Sequence, residues 1–106
     1  MTNLMIVFVT INDKKEAAKL AKKIVGKRLA ACVNIIPDLR SIYEWDGELQ
    51  DEKEFLLIMK TTPQNISELK EFVEENHPYE VPEFVVVDAA DVSANYLSWV
   101  QKNTLS

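Results

Sequence analysis

Cysteine, glycine and proline are all scarce in this chain of 106 residues, and each shortage excludes a class of protein. Its single cysteine, Cys32, cannot form a disulfide within the chain. We therefore expect a reducing compartment, the cytoplasm, and no disulfide-stapled fold. Two glycines and four prolines are too few for a linker-rich or disordered chain. At this length the sequence predicts one globular domain over residues 1–106.

Long hydrophobic runs and an excess of basic residues are missing as well. The first ten residues hold a run of only about six apolar residues without a basic segment before it, which does not fit a secretory leader. No stretch approaches the roughly 20 apolar residues that cross a bilayer. The net charge of −5 disfavours nucleic acid, because binding to phosphates depends on clustered Lys and Arg. We expect neither a membrane nor a nucleic-acid partner.

The hydrophobic pattern that is present predicts an α+β domain. Short apolar runs with β-branched residues predict strands at 4–10, at 29–36 extended by 40–45, at 48–60 and at 84–89. Apolar residues three and four apart predict helices that begin at the caps Asp13, Thr62 and either Ser93 or Asp91, the first two ending near Lys27 and His77. This order is the split βαβ arrangement of ferredoxin-like domains, an antiparallel sheet with two helices on one face. A long β-hairpin and an extra C-terminal helix are added to it.

The hairpin is predicted from its turn. Asp46-Gly47 favours a two-residue turn, because both central positions of such a turn adopt positive φ. Pro37 predicts a bulge or the start of a sheet edge, since proline cannot donate a hydrogen bond to a neighbouring strand. The expected cross-strand pairs are Trp45 with Glu48, Tyr43 with Gln50, Ser41 with Glu52 and Ile35 with Ile58.

The outer part of this hairpin carries aromatic side chains, above all Tyr43 and Trp45, that a domain of this size cannot cover. A two-stranded ribbon is only marginally stable in water, and an exposed edge can pair with another chain. We therefore expect a neighbouring subunit to take up the edge and cover both aromatic rings. A frayed arm in a monomer is the alternative.

His77 is the only histidine and lies at the end of an acidic helix. It could ligate a divalent metal with Glu74, Glu80 or Glu83. A lone histidine without a second His or Cys at ligand spacing favours a simpler interpretation, a cation suited to the C terminus of a helix.

Other polar residues give weaker indications of a site. Lys60-Thr61-Thr62 lies where a strand runs into a helix N terminus, a place that can bind an anion, but no glycine-rich loop accompanies it. Cys32 fits a small buried hydrophobe better than a ligand or a nucleophile. No Ser-His-Asp set, H-E-x-x-H or Walker motif is present, so we expect no enzyme.

Six lysines make the outer face of the first helix basic in an otherwise acidic chain. They are Lys14, Lys15, Lys19, Lys22, Lys23 and Lys27. Such a face fits a solvated surface better than an anionic partner.

Five blocks of sequence, in order and spacing, resemble the CutA divalent-cation tolerance family. They are 28–37 (RLAACVNIIP), 41–47 (SIYEWDG), 60–62 (KTT), 77–83 (HPYEVPE) and 96–99 (YLSW). The resemblance extends over nearly the whole chain. The resemblance implies a ferredoxin-like subunit in a homotrimer, as in PII-type signalling proteins, with long hairpins that extend the sheets between subunits. Tyr43, Trp45 and Trp99 would then lie at or near subunit contacts.

The resemblance also implies a ligand. Members of the family are reported to bind divalent cations such as copper, and His77 and Glu83 match the histidine of H-P-Y and the acid of P-E. The cysteine that some bacterial members carry near the end of the first strand is absent from residues 4–10.

The leading hypothesis is therefore a homotrimer that binds copper or another divalent cation, or a small anion near Lys60 and Thr61, in clefts between subunits. A structural trimer that docks another protein is one alternative. A small hydrolase whose site is assembled only by folding is the other.

Overall fold

The computed structural model describes residues 4–105, with four strands, three α-helices and one short 3-10 turn among them. In chain order these are β1 (Met5–Ile11), α1 (Lys14–Gly26), β2 (Cys32–Trp45), β3 (Glu48–Thr61), the 3-10 turn (Pro63–Asn65), α2 (Ile66–Asn76), β4 (Val85–Asp88) and α3 (Ala94–Lys102). Residues 1–3, part of the segment considered above as a leader, and residue 106 lie outside the described residues.

The four strands form one sheet in the order β2-β3-β1-β4, and every neighbouring pair is antiparallel. The predicted α+β class, the antiparallel four-stranded sheet and the extra C-terminal helix are therefore confirmed. The order leaves β2 and β4 at the two edges of the sheet, each with one side unpaired within the described part of the chain. No helix among residues 4–105 has the length and apolar content to cross a bilayer.

Both α1 and α2 pack on the same face of the sheet, because alternate residues of β1 and β3 point toward them. The buried residues of this core are Val7, Val9, Ile11, Ala17, Leu20, Ile24, Leu29, Ala30, Leu57, Met59, Leu69 and Val73. Removing a side chain of this kind from water contributes about 1.5–3 kcal/mol each. The helix-covered face therefore holds the main core of the domain.

Helix α1 has defined stops at both ends. The Asp13 carboxylate accepts a hydrogen bond from the Glu16 backbone N–H at 2.9 Å, as the sequence predicted. At the other end Arg28 adopts φ 61°, and the Leu29 N–H donates back to the Ile24 carbonyl at 3.0 Å. This arrangement satisfies carbonyls that the helix end leaves unpaired, with arginine at a position where glycine is usual. The Arg28 guanidinium in turn donates to the Lys102 carbonyl.

The second helix begins later than the sequence predicted. Thr62 is extended, as a cap should be, but Pro63–Asn65 form a 3-10 turn and α2 starts only at Ile66. The Thr62 hydroxyl accepts a hydrogen bond from the Asn65 side chain at 2.7 Å, whereas a helix cap accepts one from a backbone N–H of the first turn. The predicted stop before Pro78 is confirmed, since α2 ends at Asn76. For α3 the cap is Ser93 and not Asp91.

The hairpin turn adopts the predicted backbone, with φ 51° at Asp46 and 80° at Gly47. The three pairs nearest the turn are also confirmed. The fourth was wrong, because Ile35 lies opposite Leu57 and not Ile58. The register shifts between Ile36 and Leu39, where two residues of β2 face one residue of β3. The bulge expected at Pro37 exists, but its extra residue had not been counted in the register.

The other face of the sheet is covered only at one end. There α3 packs Val100 against Leu4 and Ala31. By the strand register, Phe8, Ile58 and Val85 share this second face, and Val85 is 48% exposed. We refer to it below as the bare face, the side of the sheet opposite α1 and α2.

Candidate functional site

A wide groove lies between the hairpin, the end of β1 and the loop that follows α2. Its volume is about 720 Å³. It is lined by Thr10, Asn12, Ser41, Ile42, Tyr43, Trp45, Gln50, Glu52, Glu54, Tyr79, Glu80, Val81 and Glu83. Four of these residues are glutamates and none is lysine or arginine. We call this the acidic groove.

Two residues that line the acidic groove share a partly buried hydrogen bond. The Tyr79 hydroxyl donates to the Glu54 carboxylate at 2.6 Å, and Glu54 is only 6% exposed. Burial and the neighbouring Glu54 carboxylate both raise the pKa of Tyr79 far above its ordinary value, so the phenol stays protonated and remains a donor. The bond joins β3 to the loop after α2, and it supplies Glu54 with a neutral partner and no counter-charge.

Negative charge accumulates around this bond. Burial and the charge of Glu54 raise the pKa of Glu83 above its ordinary value. Tyr43 responds in the same way, since burial and the neighbouring Glu52 raise its pKa. Both shifts show that a further negative charge at these positions is unfavourable. The groove therefore favours a positively charged ligand.

His77 lies just behind the groove and is only 8% exposed. Its Nδ1 accepts a hydrogen bond from the Tyr79 backbone N–H at 3.0 Å, and its Nε2 is 2.7 Å from the Thr10 carbonyl oxygen. Because a backbone N–H can only donate and a carbonyl can only accept, the neutral ring carries its proton on Nε2. The ring also contacts Tyr79 edge to face, with centroids 4.5 Å apart. His77 thus fastens the loop after α2 to the end of β1.

The predicted metal ligands are therefore placed differently. Glu83 lines the acidic groove, whereas both ring nitrogens of His77 are engaged by backbone groups. Ligation by His77 would require its ring to release one of these two bonds.

The donors in the groove are carboxylate oxygens, which suit hard divalent cations such as Mg²⁺, Ca²⁺ and Mn²⁺ better than copper. Within residues 4–105, no three His, Cys, Asp or Glu side chains lie close enough together to hold a metal ion. One chain by itself therefore supplies acidic donors without a closed metal site.

The two residues of the predicted anion site do not converge. The Thr61 side chain is fully buried and donates to the Leu29 carbonyl at 2.7 Å, while the Lys60 ammonium donates to the Asn34 side chain. Consecutive side chains of a strand point to opposite faces of the sheet, so Lys60 lies on the bare face and Thr61 on the helix-covered face. These two residues do not form one anion site within the chain.

The predicted contact residues are all at the surface. Tyr43 and Trp45 line the acidic groove together and are 39% and 46% exposed. Trp99 is 45% exposed on α3, where it stacks on Tyr96 with ring centroids 5.8 Å apart. Cys32 is half-buried with a free thiol.

Glu52 and Glu54 were missed as site residues, although the sequence contained a signal for them. The predicted register already paired Tyr43 with Gln50 and Ser41 with Glu52 on one face of the hairpin. Alternation extends this face to Glu54. Its partner Tyr79 lies 25 residues further along the chain, and no local pattern connects the two.

Comparison with known proteins identifies a family that covers almost the whole chain. Residues 5–103 match the model of the CutA1 divalent ion tolerance protein. The "Divalent-cation tolerance protein CutA" of Thermus thermophilus is 46% identical over 99 residues, which are 93% of this chain and 96% of that protein. The human "Protein CutA" is 42% identical over 99 residues, but the match spans only 55% of its length.

Solved structures agree with these sequence matches. The divalent cation tolerance protein of Thermus thermophilus superimposes with a TM-score of 0.92 at 44% identity, covering 95% of this chain and 98% of that one. CutA1 from Oryza sativa gives a TM-score of 0.94 at 38% identity, covering 98% and 95%. A structure from Archaeoglobus fulgidus, described as periplasmic, gives 0.91 at 29% identity, covering 94% and 97%.

Proposed function

Because the chain belongs to the CutA1 divalent ion tolerance family, we propose that it binds divalent cations and that the acidic groove is where it does so. The observation that carries this proposal is the lining of the groove, four glutamates with no basic side chain among them. Glu54 is buried there without a counter-charge, and its negative charge raises the pKa of Glu83. A cation in the groove would stabilise the ionised form of both carboxylates.

The donor chemistry supports a hard divalent cation, held chiefly by Glu54 and Glu83. Copper was the cation expected from the resemblance, but it prefers imidazole or thiolate donors. The one imidazole, His77, uses both nitrogens on backbone groups, and Cys32 is not among the groove residues. Copper is therefore tested as the alternative cation.

The proposed assembly is a homotrimer of ferredoxin-like subunits. Two features support it. Strands β2 and β4 leave one edge each unpaired within the described chain, so β2 of one copy can pair with β4 of the next. Such a head-to-tail contact repeats from copy to copy and closes into a ring. The bare face and the exposed aromatic rings of Tyr43 and Trp45 supply apolar surface for the same assembly.

In this proposal the protein has no catalytic role and works in the cytoplasm. The buried His77 ring holds two backbone groups in place instead of activating a nucleophile. A single free cysteine suits a reducing compartment. The relatives differ in location, with a chloroplastic protein in Arabidopsis thaliana and a periplasmic one in Archaeoglobus fulgidus.

Native mass spectrometry of the metal-stripped protein, titrated separately with Mn²⁺ and with Cu²⁺, tests the proposal. We expect a trimer mass and stepwise uptake of Mn²⁺. Glu83→Gln should weaken uptake at least about tenfold, the lower end of the loss caused by removing even an outer partner of a metal site. Glu68→Gln on α2 removes the same charge outside the groove and should leave uptake unchanged.

Three outcomes would contradict parts of the proposal. Equal uptake by the two variants would exclude the acidic groove as the cation site. Uptake of Cu²⁺ alone, lost in His77→Gln, would restore the ligand that the family resemblance implied. A monomer or dimer at micromolar concentration would overturn the trimer whatever the metal result.

A further inference from the structure

The outer surface of α1 is strongly basic. The helix Lys14–Gly26 carries five lysines and one glutamate, and Lys27 follows it directly. Every one of these lysines is exposed. The whole chain has a net charge of −5, so this helix is a local reversal of the overall charge.

The outer surface of α2 has the opposite charge. The helix Ile66–Asn76 carries four glutamates, Glu68, Glu71, Glu74 and Glu75, and a single lysine, Lys70. All five side chains are exposed. Because α1 and α2 bury their apolar stripes in the same core, they lie side by side on the helix-covered face. This face therefore presents a basic half and an acidic half, and we call it the bipolar surface.

Within residues 4–105, no lysine of α1 forms an ion pair with a glutamate of α2. Among residues 4–105 the only ion pair joins Arg40 to Asp51, which are on the hairpin and far from both helices in sequence. Lys27 lies over the Phe72 ring of α2, 5.7 Å from its centroid, and lines one hollow with three α2 glutamates without forming an ion pair with any of them. Side chains of both signs thus remain free to pair with another molecule.

The arrangement of the two halves defines which molecule fits. A surface with one basic and one acidic stripe is complementary to itself after rotation by 180° about an axis that lies in the surface between the stripes. In that arrangement the basic stripe of each copy lies against the acidic stripe of the other. The same contact therefore occurs twice, as in isologous two-fold dimers. A uniformly acidic or basic partner would match only half of the surface.

We propose that the bipolar surface binds the bipolar surface of a second copy of this chain, so that α1 of each copy lies against α2 of the other. The contact uses the helix-covered face, whereas the proposed trimer uses the sheet edges and the bare face. It is independent of cation binding and links whatever assembly the chain already forms. Since it depends on exposed charges, it is weak and sensitive to salt.

Sedimentation velocity on the metal-stripped protein at about 10 mM and about 1 M salt tests the proposal, because the Debye length falls from roughly 30 Å to roughly 3 Å between them. We expect the average mass at low salt to be at least twice that at high salt, with a dissociation constant at least about tenfold larger at high salt. An unchanged mass at both salt concentrations would overturn the proposal.

Charge-swap variants show whether the two helices carry the contact. Lys15→Glu with Lys22→Glu leaves α1 with three lysines and three glutamates and so removes its excess of positive charge. Glu68→Lys with Glu75→Lys gives α2 three lysines and two glutamates and so makes both halves basic. Each double variant alone should lose the low-salt species, and an equimolar mixture of the two should regain it. Lys102→Glu makes the same kind of substitution on α3, outside the bipolar surface. This variant should associate at low salt as the unchanged protein does.

The Lys102→Glu control distinguishes this contact from an effect of net charge alone, because it changes charge outside the bipolar surface. Association that each double variant retains on its own would exclude the bipolar surface. If the high-salt species is not a trimer, the proposal for the sheet edges and the bare face is wrong. The salt-dependent contact between bipolar surfaces is still tested by the change in mass.

Discussion

The root and the tip of the long hairpin differ in what surrounds them, although both are made of the same two strands. At the root, Leu57 and Met59 are fully buried beneath α1 and α2. Toward the tip, Ile42 and Leu49 are 62% and 77% exposed. The root is completed by its own chain, whereas the tip presents apolar side chains that only another molecule could cover.

Polar contacts repeat this difference. Nearer the root the Tyr79–Glu54 bond is partly buried, while the ion pair between Arg40 and Asp51, at 2.6 Å, has side chains that are 72% and 44% exposed. Water competes for the exposed pair and screens it. The comparison shows that the root fixes the hairpin to the domain. The outer part of the hairpin adds little to the stability of a single chain, so its function involves another molecule.

The largest expected effect comes from a matched pair of truncations. Leu57→Ala at the root should lower the free energy of unfolding by about 2–5 kcal/mol, because it removes buried methyl groups and leaves a cavity. Leu49→Ala at the tip should change it by less than about 0.5 kcal/mol. Urea unfolding at low protein concentration measures both. Similar losses for the two variants would remove the distinction between root and tip.

The next effect concerns His77. His77→Ala leaves the Tyr79 N–H and the Thr10 carbonyl without their partner in a buried place, which should cost about 1–3 kcal/mol for each group. His77→Gln keeps a donor and an acceptor and should recover part of the loss. Both are measured by thermal unfolding of the metal-stripped protein. An unchanged midpoint in His77→Ala would show that the ring does not fasten the loop.

A smaller effect depends on pH. Burial and Glu54 raise the pKa of Glu83 in the folded chain, so protonated Glu83 favours folding at low pH and this contribution is lost as pH rises through the raised value. At pH 7 the ionised carboxylate therefore destabilises the metal-free chain. Glu83→Gln should raise the urea midpoint at pH 7 and have little effect near pH 4. If Glu83→Gln is less stable than the unchanged protein at pH 7, the ionised Glu83 carboxylate stabilises the fold and the prediction is wrong.

The smallest effect is expected at the exposed ion pair of the hairpin. Arg40→Ala removes the exposed ion pair with Asp51 and should leave the unfolding midpoint of the single chain unchanged within error. Titration of Asp51 by NMR gives a second readout, since the Arg40 guanidinium lowers the pKa of that carboxyl and the variant should restore its ordinary value. A large loss of stability would mean that the tip is structured by its own contacts.

Local patterns allowed much of this fold to be predicted from the sequence. The Asp46-Gly47 turn, the Asp13 cap and the stop before Pro78 each depend on neighbouring residues, and all three were confirmed. The register failed only beyond the bulge, where the extra residue of β2 moved Ile35 from Ile58 to Leu57. One uncounted residue is enough to shift every later pair.

The candidate site was less predictable, because its contacts join distant parts of the chain. His77 was expected to be a ligand or a helix-end cation, but its ring bonds to Thr10, 67 residues earlier. Glu54 meets Tyr79 across 25 residues. By contrast, the divergence of Lys60 and Thr61 follows from strand alternation alone and could have been predicted. The tertiary contacts of a site are what sequence patterns leave out.

The strand order has a consequence for synthesis on the ribosome. β1 is made first, yet it lies between β3 and β4, so one of its edges waits for residues 85–88 to emerge. The nascent β2-β3 hairpin can already have formed by then, since its turn and its first pairs are local. Until β4 arrives, the apolar edge of β1 is open to other nascent chains on the same message. Slow translation before Val85 would lengthen that exposure, and fast translation there would shorten it.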